Sequence, residues 1–182
     1  MKTVLAAMGA ALCLAAFAQD DKPNAVLLVA KPELTDPNFR QTVVLVTQTP
    51  DASTVGVILN RPTSRKHDKT GEPLYYGGPV MGEVLVALFR SERAPQGAAF
   101  HVMKDVYLSM HPANIDALPQ KREGSYRLFV GFAGWAPGQL ASEIARDGWF
   151  VLPADGEIAF RREAVGLWEE LVRKARRRVA MR

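Results

Sequence analysis

A chain of 182 residues, 48% hydrophobic and 23% charged, has ordinary globular composition, fits one domain rather than two, and can bury a sizeable core without staples. Its formal charge of +4 is unevenly spread: Lys2 and the six cations Arg173, Lys174, Arg176, Arg177, Arg178 and Arg182 leave a body of −3. Attraction to anions is therefore local, and a basic nucleic-acid-binding fold is not indicated.

In chain order, Lys2 is followed by an apolar run from Val4 to Ala18 that ends in Ala16-Phe17-Ala18 before the polar Gln19-Asp20-Asp21-Lys22. That is the layout of a cleavable secretory signal peptide, and the run is shorter than the roughly 20 residues a spanning helix needs. The expectation is a signal peptide over 1–18, a domain over 19–182, and a periplasmic or secreted location; an N-terminus that does not function as a signal implies a cytoplasmic protein instead. Cys13 is the only cysteine. The mature chain then has no disulfide, thiolate metal site or cysteine nucleophile.

Ala25 to Val29 reads as a first strand, broken by Pro32. Thr35 or Asp36 as a cap with Pro37 behind it predicts a short helical turn before a β-branched strand, Thr42 to Thr47. The segment "VGVILNRP" reads as a strand ended by Pro62, and the polar stretch 63–74 as an exposed loop. After the turn "YYGGPV", "EVLVALFRS" is taken as a strand for its valines, and "AFHVMKDVYLSM" as one half-buried strand with a slip near Asp105. "HPANIDAL" suits a short helix and "SYRLFVGFAG" a strand.

The next helix begins at Pro137, turns Leu140 and Ile144 to one face, and ends near Asp147-Gly148. "WFVLPADGEIAF" reads as two strands about Asp155-Gly156. Arg161 to Arg178 is an amphipathic closing helix with Ala164, Trp168, Leu171, Ala175 and Val179 along its stripe. The sum is an α+β single domain with a mixed or antiparallel sheet and a few flanking helices.

Four stretches, "DPNFRQTVVLV", "GVILNRP", "YYGGPV" and above all "YRLFVGFAGWAPGQLASEI…GWFV", resemble the YqgE/AlgH family. The resemblance covers most of the chain from Ala25 to Val151. It implies a compact α+β fold with an unusual, branched sheet, and no catalytic residues to carry over. One branch of that family bears a transcriptional-regulator label, which the export signal here opposes. The segment "MGEVLVALF" and a shorter loop after "NRP" depart from the family's usual pattern.

The chemistry-bearing candidates are Asn60, Arg61, Gly78, Trp135, Gly138, Gln139 and Glu143. In "GFAGWAPGQLASEI", Gln139 can reach back to Ala136 as a cap while Trp135 covers the sheet; the same helix start with Gly138 can also receive a carboxylate or phosphate. Arg61 offers a donor fork at a strand end or a surface ion pair. Glu143 faces either a ligand or solvent, and Gly77-Gly78-Pro79 is a sharp turn rather than a phosphate cradle. His67, His101 and His111 lack metal-ligand spacing, so no metal and no cofactor is expected.

The functional expectation is an exported binding or accessory module. A small anionic ligand is its expected partner at that site, with an anionic envelope partner at the basic C-terminal helix and nucleic acid disfavoured by export. The alternatives are a cytoplasmic transcriptional regulator and a metal-free enzyme acting at a cleft near Arg61 and Gln139.

Overall fold

The computed structural model of the chain describes residues 23–122 and 124–181, so the signal-peptide reading of residues 1–18, Cys13 and the mature start at Gln19 lie outside the described residues. Ten strands form the sheet: β1 (Val26–Ala30), β2 (Val43–Gln48), β3 (Thr54–Ile58), β4 (Pro62–Lys66), β5 (Pro73–Tyr76), β6 (Val80–Arg90), β7 (Phe100–Met103), β8 (Val106–Ser109), β9 (Tyr126–Trp135) and β10 (Trp149–Pro153). The helices are α1 (Pro112–Asp116), α2 (Gln139–Ala145), α3 (Gly156–Phe160) and α4 (Leu167–Ala180), with a 3₁₀ turn at Leu118–Gln120.

The main path runs β10-β1-β2-β3-β9-β6-β8-β7. Its pairings are antiparallel, whereas β5 lies parallel to β9. Strands β1 and β2 are buried on both faces, which is why their sequences are unbroken apolar runs rather than alternations. On one face Leu27, Val29, Val43, Leu45 and Val57 pack under Ile158 and Ala159 of α3 and Leu167, Leu171 and Ala175 of α4. On the other, Leu28, Val44, Val46 and Ile58 pack with Trp135 and Trp149 beneath Leu140 and Ile144 of α2. The sheet curls so that β7 reaches β2, and Val102, Val106 and Leu108 join the first core.

The sheet branches at β9. One edge of that strand pairs with β6, while its other edge is shared: β5 holds Leu128–Val130 and β3 holds Ala133–Trp135. Where β5 gives way to β3, backbones approach too closely for side chains. A Cβ on Gly77 would stand 2.1 Å from the Gly131 carbonyl oxygen, and one on Gly78 would stand 2.4 Å from that of Phe132. The "GGP" motif is thus the filling of the branch point.

Several sequence expectations are corrected. The stretch 63–74 is not a loop but most of a β4–β5 hairpin, and Pro62 opens a strand instead of ending one. Proline is tolerated there because β4 is an edge strand. The segment 99–110 holds two strands, β7 and β8, turned at Asp105, φ 58°. Asp155 does not turn a hairpin; its carboxylate accepts from the Glu157 and Ile158 backbone N–H groups and starts α3. The single helical turn expected before β2 is present, with Asp36 as its cap: Asp36 Oδ1 accepts from the N–H groups of Asn38 at 2.7 Å and Phe39 at 3.2 Å, and Arg40 N–H bonds Asp36 O at 2.8 Å.

Two helix starts also shift. Pro137 precedes α2, whose cap is Gly138 at φ 78°. Helix α4 starts at Leu167, not Arg161, and Val179 at the far end of its stripe is uncovered. Among the described residues no helix is long and apolar enough to cross a membrane.

Candidate functional site

The corner where β9 enters α2 is built around one carboxylate. Trp135, last in β9, and Trp149, first in β10, are both buried, and each indole Nε1 donates to Glu143 Oε2 at 3.1 Å. Gln139, one turn earlier on α2, donates through Nε2 to Glu143 Oε1 at 3.2 Å, while its own Oε1 accepts from the Ala136 N–H at 3.2 Å. The backward capping reach read from the sequence is present. Glu143 is not a solvated helix residue but the acceptor for three donors.

Phe39 completes the corner, stacked on Trp135 at 5.4 Å and edge-on to Trp149 at 5.7 Å. The start of α2 is held open by Gly138, and its end closes as a Schellman motif: Asp147 N–H bonds Ile144 O and Gly148 N–H bonds Glu143 O. Asp147 takes the left-handed position, φ 66°, and pairs with Lys31. A cleft of about 330 Å³ lies over this corner, lined by Leu34, Phe39, Gln139, Glu143, Arg146 and Trp149 among others.

Asn60 and Arg61 sit across the 36–41 loop from that corner. Asn60 Oδ1 accepts from Val43 N–H at 2.8 Å and its Nδ2 donates to Gln41 O at 2.9 Å. The Arg61 guanidinium donates to the carbonyls of Asn38 at 2.6 Å and Arg40 at 3.1 Å and lies 5.9 Å from the Tyr76 ring. Both residues therefore shape the loop that presents Phe39 to the tryptophans.

Beyond them opens a polar cleft of about 600 Å³ at the end of the sheet, walled by Arg40, Gln41, Asn60 and Arg61 and, opposite, by Gly166, Trp168 and Glu169. Burial, with the Arg40 charge nearby, holds the Arg61 guanidinium below the usual arginine range.

The seven candidates thus divide. Trp135, Gln139 and Glu143 meet directly, with Gly138 as the helix cap beside them. Asn60 and Arg61 reach that corner only through the 36–41 loop and line the other cleft, with Gly166, Trp168 and Glu169, rather than the one over Gln139 and Glu143. Gly78 is buried in the sheet branch and lines neither cleft.

The histidines lie elsewhere: His67 bonds Thr70 in the hairpin turn, His101 stacks on Tyr107 at 4.8 Å, and His111 caps α1. Among the described residues no group of three His, Cys, Asp or Glu side chains is placed to hold a metal.

The sequence reading passed over Arg127. It is 3% exposed on β9, with its guanidinium 4.0 Å from the Tyr75 ring, and it donates to Ala159 O at 3.0 Å and Leu59 O at 2.7 Å. Burial pushes its pKa down to about 10, and its Nε has no partner among the described residues. The signal was visible as one cation inside the apolar run "YRLFVGF". It ties β9 to α3 and to the end of β3.

Comparison with known proteins agrees with this architecture. The AlgH-like family model matches residues 27–180. A UPF0301 protein of Streptomyces coelicolor is 36% identical over 177 residues, covering 85% of this chain and 88% of the relative. One from Streptomyces avermitilis is 34% identical over 170 residues, with the same coverage.

The solution structure of AlgH from Pseudomonas aeruginosa superposes with a TM-score of 0.67 at 25% identity, covering 85% of this chain and 87% of that one. A Corynebacterium diphtheriae crystal structure gives 0.66 at 25% identity, with 86% and 88% covered. The chain belongs to the AlgH-like, UPF0301 family.

Proposed function

We propose that this chain is an exported binding or accessory module, with residues 1–18 as its cleaved signal peptide, whose ligand is a small anion held in the cleft walled by Arg40, Asn60 and Arg61. The observation that carries the ligand class is that two arginines, Arg40 and Arg61, line the same polar cleft. A carboxylate or phosphate between them removes their repulsion and gains charge-assisted hydrogen bonds. Asn60 and the 36–41 loop supply a fixed frame for it.

A binding role is favoured over catalysis because Glu143, the carboxylate at the neighbouring corner, already accepts three hydrogen bonds. An acceptor so committed is a poor general base. The export part rests on the order of Lys2, the apolar run and Ala16-Phe17-Ala18.

Titration calorimetry with inorganic phosphate and with succinate tests the cleft. Arg40 is exposed, so Arg40→Ala leaves the fold intact and weakens binding roughly 10- to 100-fold, the loss of one charge-assisted bond. Glu169→Gln, on the facing wall, tightens it. Equal affinity of the parent and Arg40→Ala rejects the site. Export is tested separately by cell fractionation with intact mass: a periplasmic species beginning at Gln19 supports it, and a full-length cytoplasmic species overturns it.

A further inference from the structure

The last turns of α4 run past the body that the helix packs on. Leu167, Leu171 and Ala175 are buried along one stripe, and Arg178 and Val179 continue it at i+3 and i+4 from Ala175, yet Val179 is 66% exposed. Met181 is 83% exposed, and Val151, on the neighbouring outer strand β10, is 45% exposed. Two shallow, largely apolar grooves flank Arg178. One, of about 440 Å³, includes Phe150, Val151 and Val179; the other, of about 480 Å³, includes Lys174, Arg177 and Met181.

Lys174, Arg177 and Arg178 line these grooves, with Arg173 and Arg176 on the same helix, and the two acids that also line them are paired, Asp147 with Lys31 and Glu170 with Arg161. Of the two acids at the helix start, Glu170 is engaged by Arg161. The helix dipole accounts for cations in the last turn alone. Arg173 with Arg177 and Lys174 with Arg178 are like-charge pairs at i,i+4, which destabilise an isolated helix. An anionic surface turns that repulsion into attraction.

We propose that the C-terminal half of α4, together with Val151, is a docking surface for an anionic lipid bilayer. The guanidinium and ammonium groups meet lipid phosphates, while Val179 and Met181 enter the headgroup region. A second copy of the chain would set cation against cation. A nucleic acid would satisfy the charges but leave the exposed aliphatic groups without a function. The inference is independent of the anion cleft, which lies near the opposite end of α4.

Sedimentation of the whole chain with vesicles tests it. The parent binds vesicles containing phosphatidylglycerol more tightly than pure phosphatidylcholine, and the difference disappears in high salt. Changing Arg176, Arg177 and Arg178 together to Gln lowers partition roughly 100-fold, each cation near an anionic leaflet contributing about a factor of five. The same three changed to Lys retain binding.

The apolar segment at 4–18 is common to all variants, so these differences belong to α4. Equal partition of the parent and the Gln variant overturns the proposal. So does tighter binding to a DNA duplex than to the vesicles at matched salt. Val179→Ser with Met181→Ser weakens binding with every charge intact; unchanged partition refutes the apolar half of the surface.

Discussion

Replacing Glu143 by leucine separates a structural carboxylate from a dispensable one. The substitution keeps a helix-forming side chain of similar size on α2 and removes the acceptor shared by the Trp135 and Trp149 indoles. Both tryptophans are 3% exposed, and leucine excludes the water that would otherwise reach their N–H groups. Each orphaned donor costs about 1–3 kcal/mol, so the pair gives about 2–6 kcal/mol, a fall in melting temperature of roughly 2–4 °C per kcal/mol for a domain this size. Glu143→Ala opens the corner toward the 330 Å³ cleft and admits water, so it costs less, about 1–3 kcal/mol.

The order Leu worse than Ala is opposite to what apolar burial alone gives. Urea unfolding followed by tryptophan fluorescence and circular dichroism measures both. A leucine variant as stable as the parent, or more stable than the alanine variant, refutes the view that the carboxylate is there to satisfy two indoles.

Three further outcomes follow from other sites. Arg127→Leu removes the donors of two carbonyls, Ala159 O and Leu59 O, and lowers stability by about 2–4 kcal/mol in urea titration; an unchanged midpoint means those bonds contribute nothing. Gly77→Ala drives a methyl group into the Gly131 carbonyl and costs at least about 3 kcal/mol, so the protein unfolds early in a thermal scan or fails to accumulate, whereas Gly71→Ala, with open space around it, meets no clash and carries only backbone strain.

The acid limb of stability tests the pair formed by Arg161 and Glu170, in which Arg161 holds the Glu170 carboxyl below its usual value of 4.5. A depressed carboxylate stabilises above its unfolded pKa and loses that contribution as pH falls through the lower folded one. The gap between the parent and Glu170→Gln therefore closes as pH drops below about 4.5, and a gap that widens in acid contradicts the pairing.

The apolar strands, the capping reach of Gln139 and the amphipathic closing helix were legible because each depends on neighbours within a few residues. The reading of 149–160 as two strands about a turn failed in its second half for a local reason, since Asp155 before glycine serves a turn or a cap equally well and the choice fell to the packing of Ile158 and Ala159. The polar stretch 63–74 was misread because a hairpin arm with exposed side chains has no hydrophobic alternation to announce it.

By itself, the sequence determined the α+β class, the family and the residues gathered at the "GWAPGQL" corner, since composition, periodicity and ordered motifs are properties of the chain. The tertiary structure decided what those residues do. The two indoles meet on one carboxylate although Trp135 and Trp149 belong to different strands. Gly77 and Gly131, far apart in the chain, come together at the sheet branch, and Arg127 finds its carbonyls on α3 and beyond β3. Such pairings are set by which strands lie side by side, and a linear pattern carries no term for distance in space.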